Sequence, residues 1–124
     1  MKLVPIMKCK DMQESLSFYT NVLDFEIRYA DSTADEPVVT IINGEAEIEL
    51  STMSGDSLFG CAVNVRVDDV DELFKKYVER GLDVSDKEHS PVHQGPLDQT
   101  WGMREFYVND PNGNTLRFGK PIGE

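Results

Sequence analysis

Glu49, Asn64, Glu105, Tyr107 and Arg117 are polar or charged residues set among alternating apolar ones. Such alternation packs one face of a sheet and leaves the other toward something polar. Hydrophobic burial accounts for the packed face only, and a polar cavity is the simplest account of the other. A carboxylate and a guanidinium in one cavity can orient a polar guest through charge-assisted hydrogen bonds. Trp101, the only tryptophan, follows the loop of residues 95–98 and precedes a strand pattern. Its indole can stack on a planar heteroaromatic ring, or it can cap a hydrophobic seam between subunits. His89 and His93 are four residues apart, a spacing that places two side chains on one helix face. Pro91 stands between them, so they read as solvated loop histidines, with a lid over the cavity as the alternative.

The elements that must position these residues form one pattern used twice. Residues 3–9 read as a first strand, with Pro5 marking an edge or a change of partner. Asp11 caps a helix with Glu14 three residues on. Met12, Leu16, Tyr19 and Leu23 supply its apolar stripe. Residues 25–29, 37–42 and 46–53 read as strands, and Asn43-Gly44 signals a hairpin. Residues 53–58 read as a linker. The pattern then restarts with a strand at 59–67, which puts Val63, Val65 and Val67 on one face and Ala62, Asn64 and Arg66 on the other. Asp69 caps a second helix built on Val70, Leu73, Phe74, Tyr77 and Val78, and Gly81 stops it. A strand at 82–85, a loop at 88–100 and a closing hairpin complete the chain. That hairpin pairs 103–109 with 115–118 around the turn Asp110-Pro111-Asn112-Gly113. Asp11 and Asp69 lie 58 positions apart, as do Tyr19 and Tyr77. The offset points to a duplicated module. The expected fold class is α+β: two βαβββ modules, at about residues 1–55 and 56–124 of a single domain 1–124, forming an open, concave mixed sheet with helices outside.

The totals narrow the function. The 124 residues carry 23 acidic and 12 basic side chains, a net charge of -11. Phosphate binding needs a basic patch, so nucleic acid is not an expected partner. The charge suits a cationic small molecule, or it is plain solubility. No apolar run reaches the roughly 18 residues of a membrane span, and no signal-peptide core is visible near the N-terminus. Cys9 and Cys61 read as small buried hydrophobes of a reducing compartment, which makes the expected location cytoplasmic.

Residues 4–11, Val-Pro-Ile-Met-Lys-Cys-Lys-Asp, followed by Ser17-Phe18-Tyr19 and Leu23-Asp24-Phe25, resemble the first module of the vicinal oxygen chelate superfamily. That superfamily holds glyoxalase I, extradiol dioxygenases, fosfomycin-modifying enzymes and bleomycin-resistance proteins. Trp101-Gly102-Met103-Arg104-Glu105-Phe106, leading into Asp110-Pro111-Asn112-Gly113-Asn114, is closer still to the bleomycin-resistance branch. The resemblance covers about residues 3–119.

The enzymes of that superfamily hold a divalent metal with one side chain from each of four strands. Those positions fall on Val4, Glu49, near Ala62 and on Arg117. Three of the four cannot ligate, and an arginine has no lone pair to give. The resemblance therefore implies a metal-free binding protein with no catalytic residues and no cofactor, which sequesters an antibiotic-like small molecule in a groove at a homodimer interface. Its expected ligand contacts are Trp101, Tyr107, Glu49, Asn64, Arg66, Arg117 and Glu105. Glu49 and Arg117 occupy equivalent places in the two half-sites. They either orient a ligand or pair with each other or with Glu105 and Arg66. Asn64 and Arg66 stand where a known bleomycin binder of that branch has tryptophans, which cuts against bleomycin itself; with Arg66 and Arg117 facing the groove, the expected guest is another natural product or a ligand with an anionic group. Pro5 is compatible with an N-terminal strand swapped between subunits. The alternative is a metal-dependent lyase, isomerase or dioxygenase of the same superfamily.

Overall fold

A computed structural model describes residues 1–85 and 95–123. His89 and His93 lie outside the described residues, so their role stays an expectation from sequence. Among the described residues no helix is long and apolar enough to cross a membrane. The chain divides into two compact units, one of Met1–Cys61 with Asp110–Asn114 and one of Ala62–Asn109 with Thr115–Glu124.

The first unit runs β1 (Ile6–Lys8), α1 (Met12–Asn21), β2 (Glu26–Ile27), β3 (Val38–Asn43) and β4 (Ala46–Ser51). Its sheet has the order β1-β4-β3-β2, with β1 parallel to β4 and the other pairs antiparallel. Asp11 ends the extended chain as the N-cap of α1, accepting from the Glu14 N–H at 3.1 Å. Met12, Leu16 and Tyr19 then recur on one helix face and are buried, as are Met7, Val39, Ile41, Ile48 and Leu50 of the strands. Tyr19 joins the helix to the strands: its ring packs edge-on against Phe25, and its hydroxyl lies 3.6 Å from the Met7 sulfur. Gly44, at φ +58, closes the β3–β4 hairpin where Asn43 pairs with Ala46.

The segment Asp110–Asn114 is part of this unit, although it links two strands of the other. Its side chains explain why. Asp110, 5% exposed, accepts from the Tyr19 hydroxyl and the Asn114 amide, both at 2.9 Å, through one oxygen. Its other oxygen accepts from the backbone N–H groups of Asn112 at 2.8 Å and Asn114 at 3.0 Å. Asn114 in turn donates to the Lys8 carbonyl at 2.9 Å and accepts from the N–H groups of Gly60 and Cys61 at 3.1 and 3.2 Å. A fully buried Asn has to meet its polar groups in this way, because leaving them bare costs about 1–3 kcal/mol each. Cys9 and Cys61 are free, and burial raises both thiols above their ordinary value.

The second unit repeats the plan: β5 (Ala62–Arg66), α2 (Val70–Glu79), β6 (Leu97–Asp98), β7 (Met103–Asn109) and β8 (Thr115–Pro121). The sheet order is β5-β8-β7-β6, again with one parallel pair, β5–β8. Each unit is thus a βαβββ module and the fold is α+β. Asp69 caps α2 as Asp11 caps α1, taking the Glu72 N–H at 3.0 Å. The core is aromatic. Phe106 and Phe118 stack across β7 and β8 at 5.1 Å, and Phe74 and Tyr77 of α2 meet them edge-on.

One expected strand is elsewhere. Residues 82–85 are not a strand; β6 is Leu97–Asp98. Leu82 is buried for another reason. Gly81 takes φ +100, and the Leu82 N–H returns to the Tyr77 carbonyl at 3.0 Å, so Leu82 closes the end of α2 against its own last turn.

Candidate functional site

Residues alternate across a strand, so register shows which side chains share a face. In the second unit Phe106, Val108, Leu116 and Phe118 lie buried on the α2 side. The other face is built in cross-strand rows. Asn64, Arg117 and Tyr107 form one row. Arg66, Gly119, Glu105 and Leu97 form the next. Five residues expected at the site therefore share one face: Asn64, Arg66, Glu105, Tyr107 and Arg117. The register also sets Asn64, not Ala62, directly beside Arg117.

Glu105 is the centre of this face. It is only 3% exposed. A buried carboxylate needs donors, and the two it finds among the described residues are neutral. The Trp101 indole N–H donates to Oε1 at 3.1 Å and the Tyr107 hydroxyl donates to the same oxygen at 3.2 Å. Trp101 is fixed by that bond, yet 59% of it remains exposed. Burial first, and the Glu105 charge second, raise the Tyr107 hydroxyl above the ordinary tyrosine value, while Arg117 lowers it.

Arg117 does not pair with Glu105. Its guanidinium carbon stands 5.0 Å from the centroid of the Tyr107 ring, a cation–π contact. Its Nε is buried with no hydrogen-bond partner among the described residues. Leaving such a donor bare costs about 1–3 kcal/mol. Arg66 is exposed on β5 beside this row. On the opposite face Arg104 does form ion pairs, holding Asp71 at 2.7 and 2.9 Å and Asp98 at 3.0 Å. Those bonds lower the Asp71 carboxyl and raise Arg104. A depression of about 570 Å³ lies there, lined by Asp68, Asp69, Asp71, Asp98, Arg104 and Lys120 among others. Its arginine is already satisfied, so the unmet donor chemistry is on the Glu105 face.

Gly119 makes the arrangement possible. An ideal Cβ at this position would sit 2.9 Å from Glu105 Cγ and 3.3 Å from both the Arg104 carbonyl oxygen and Met103 Cε. The missing side chain is the space across which Glu105 leans. Gly119 is not among the residues expected at the site from sequence, although a glycine inside a strand is a sign of close approach.

Glu49, the remaining expected contact, belongs to the first unit. It is half-buried on β4 opposite Ile6, and its N–H bonds to the Pro5 carbonyl at 3.0 Å. Its neighbour Glu47 is held by Lys2 at 3.1 Å and Arg28 at 2.6 Å. The resemblance assigns four positions to metal, Val4, Glu49, near Ala62 and Arg117. Val4 and Ala62 have no ligating atom and Arg117 has no lone pair. Among the described residues no group of three or more His, Cys, Asp or Glu could hold a metal ion.

No curated protein matches the sequence. Solved structures do. A bleomycin-binding protein complexed with bleomycin is 23% identical and superposes with a TM-score of 0.75 over 97% of this chain and 98% of its own. A bleomycin resistance determinant encoded on the transposon Tn5 is 20% identical, with a TM-score of 0.76 over 98% of both chains. The bleomycin-binding protein of Streptomyces verticillus, complexed with copper(II)-bleomycin, is 23% identical, with a TM-score of 0.67 over 100% of this chain and 97% of that one. At these identities the likeness is one of fold. The family model for the Glyoxalase/Bleomycin resistance protein/Dioxygenase superfamily matches residues 6–118. With the paired βαβββ modules, that match over nearly the whole chain makes this protein a member of the glyoxalase/bleomycin resistance protein/dioxygenase superfamily.

Proposed function

We propose that this protein binds and sequesters an antibiotic-like small molecule without a metal, using the Glu105 face of its second sheet. The observation that carries the reading is the Trp101 indole, pinned by buried Glu105 while more than half its surface stays open. An aromatic plate held in advance loses little entropy when a planar guest stacks on it. Tyr107, Asn64, Arg66 and Arg117 are the proposed polar contacts beside it. The chemistry of the donor set supports binding over metal-assisted turnover. The solved relatives described as binding bleomycin support the class of guest.

A second copy of the chain completing the groove belongs to the same reading. The three-residue edge strand β1 supports it, with Leu3 and Ile6 exposed around Pro5. An N-terminal strand exchanged between the copies is the form this would take.

The test is a thermal-shift screen with bleomycin, other planar antibiotics, Ni and Zn. A guest at about a hundred times its Kd adds about 2.7 kcal/mol to the folded state. The reading expects a planar compound to raise the melting temperature and Trp101→Ala to remove that rise. A rise with Ni or Zn and with no planar compound would overturn it.

A further inference from the structure

We infer that the guest of this face is a planar molecule carrying an anionic group, a carboxylate in particular, with its ring on Trp101 and its anion at Arg117 and Arg66. The inference rests on the reading that this face binds a small molecule and names the chemical class.

The acid and the bases of this face differ in whether their partners are met. Glu105 is the face's buried acid, and its Oε1 already accepts two hydrogen bonds, from Trp101 and Tyr107. A cationic guest would have to displace donors that are in place. The basic side is in the opposite condition. In a chain with 23 acidic and 12 basic residues, cations normally have carboxylates close by. Arg28 and Arg104 do. Among the described residues Arg117 has no carboxylate partner in its own unit, and its buried Nε–H has no hydrogen-bond partner. Tyr107 supports the guanidinium through its ring face, which holds its plane while accepting no hydrogen bond from its edge. A planar fork of N–H donors held in this way matches a carboxylate, which takes two parallel hydrogen bonds.

Neighbouring residues agree. Asn64, next to Arg117 in the row, is exposed and brings an amide donor. Arg66 stands beside Gly119 in the next row, so no side chain of β8 separates it from Glu105. Contacts run without a break from the guanidinium through the Tyr107 ring and the Glu105 carboxylate to the indole. The aromatic plate and the cation are thus two ends of one ordered array. The overall negative charge repels an anion at long range, so specificity has to come from these local donors.

The test titrates the full-length protein with three probes of one shape: naphthoate, its uncharged amide and the matching naphthylmethylammonium. The chain has one tryptophan, so the indole N–H resonance reports ring binding, and the arginine Nε–H resonances report the anion. Naphthoate is expected to bind about tenfold tighter than the amide, the difference one charge-assisted bidentate contact makes. It is also expected to sharpen and shift the Arg117 Nε–H signal. Arg117→Gln should bring naphthoate to the level of the amide, and Arg66→Gln, on an exposed edge strand, should weaken naphthoate alone. Tightest binding by the ammonium probe, or a naphthoate preference that survives both substitutions, would overturn the inference. Equal binding of all three with a moving indole signal would sink the anion and leave small-molecule binding standing. No indole response to any probe would sink both.

Discussion

Gly119→Ala is the sharpest perturbation of this face, because its effect follows from three distances. The backbone at Gly119 does not need glycine's conformational freedom, since its φ is not positive. The whole cost is steric. The new methyl would meet Glu105 Cγ at 2.9 Å, the Arg104 carbonyl at 3.3 Å and Met103 Cε at 3.3 Å. The carbonyl is backbone and cannot yield, and Cγ lies near the root of a buried side chain. Glu105 has to rotate, and its carboxylate then leaves Trp101 and Tyr107. Overpacking of this kind costs about 1–3 kcal/mol. The lost charge-assisted bonds bring the expected loss to roughly 3 kcal/mol, partly offset as water reaches the exposed indole. For a chain of this size that is roughly a 10 °C fall in melting temperature. Gly55→Ala is the control, since nothing lies within 4 Å of a Cβ there and its φ is not positive. The assay is thermal and urea unfolding followed by far-UV circular dichroism, with Trp101 emission read in the folded state. Gly119→Ala should melt well below Gly55→Ala and shift the emission. Two variants melting within about a degree of each other, with the same emission, would show that Glu105 does not depend on the gap at Gly119.

Asn114→Ala strips the turn of its bonds to Lys8, Gly60 and Cys61, and urea titration should show a loss of about 2–4 kcal/mol as buried backbone groups lose partners. Asp71→Asn weakens an exposed fork and should cost less than about 1 kcal/mol at neutral pH. Because Arg104 holds the Asp71 carboxyl low, its contribution is present above the usual carboxylate range and lost as pH falls through the lowered value. The variant and the parent should therefore converge in acid, as urea unfolding at several pH values will show. Tyr107 carries the opposite sign. Its raised hydroxyl contributes stability below a pH of about 10 and loses it as pH rises through the folded value. The stability gap to Tyr107→Phe should narrow in alkali.

Much of the fold was written in periodic positions. Asp11 and Asp69 cap their helices as the sequence suggests, and the matched stripes behind them bury Tyr19 and Tyr77. Local rules failed where an element was too short to have a pattern. β6 is two exposed residues held by pairing to Glu105 and Arg104, and nothing in Leu97-Asp98 alone marks a strand. The apolar Leu82 suggested one, but it serves the helix end. The polar side chains that share a face could be grouped from alternation, since period two is a local property. Which of them bond could not. The carboxylate of Glu105 takes an indole and a phenol rather than an arginine, because burial and the gap at Gly119 set its direction. The turn at 110–114 read correctly as a turn. That Asn114 reaches Lys8 is a contact between residues 106 apart, beyond any local signal.

The central claim is that ligands of this protein meet Trp101 where Glu105 holds it. The most direct measurement is the indole N–H resonance of this single tryptophan, recorded beside the melting temperature as each small molecule of a screen is added. The account predicts that a compound raising the melting temperature also moves that resonance, and that Trp101→Ala removes the stabilisation. A compound or metal ion that stabilises the protein while the resonance stays in place would contradict it.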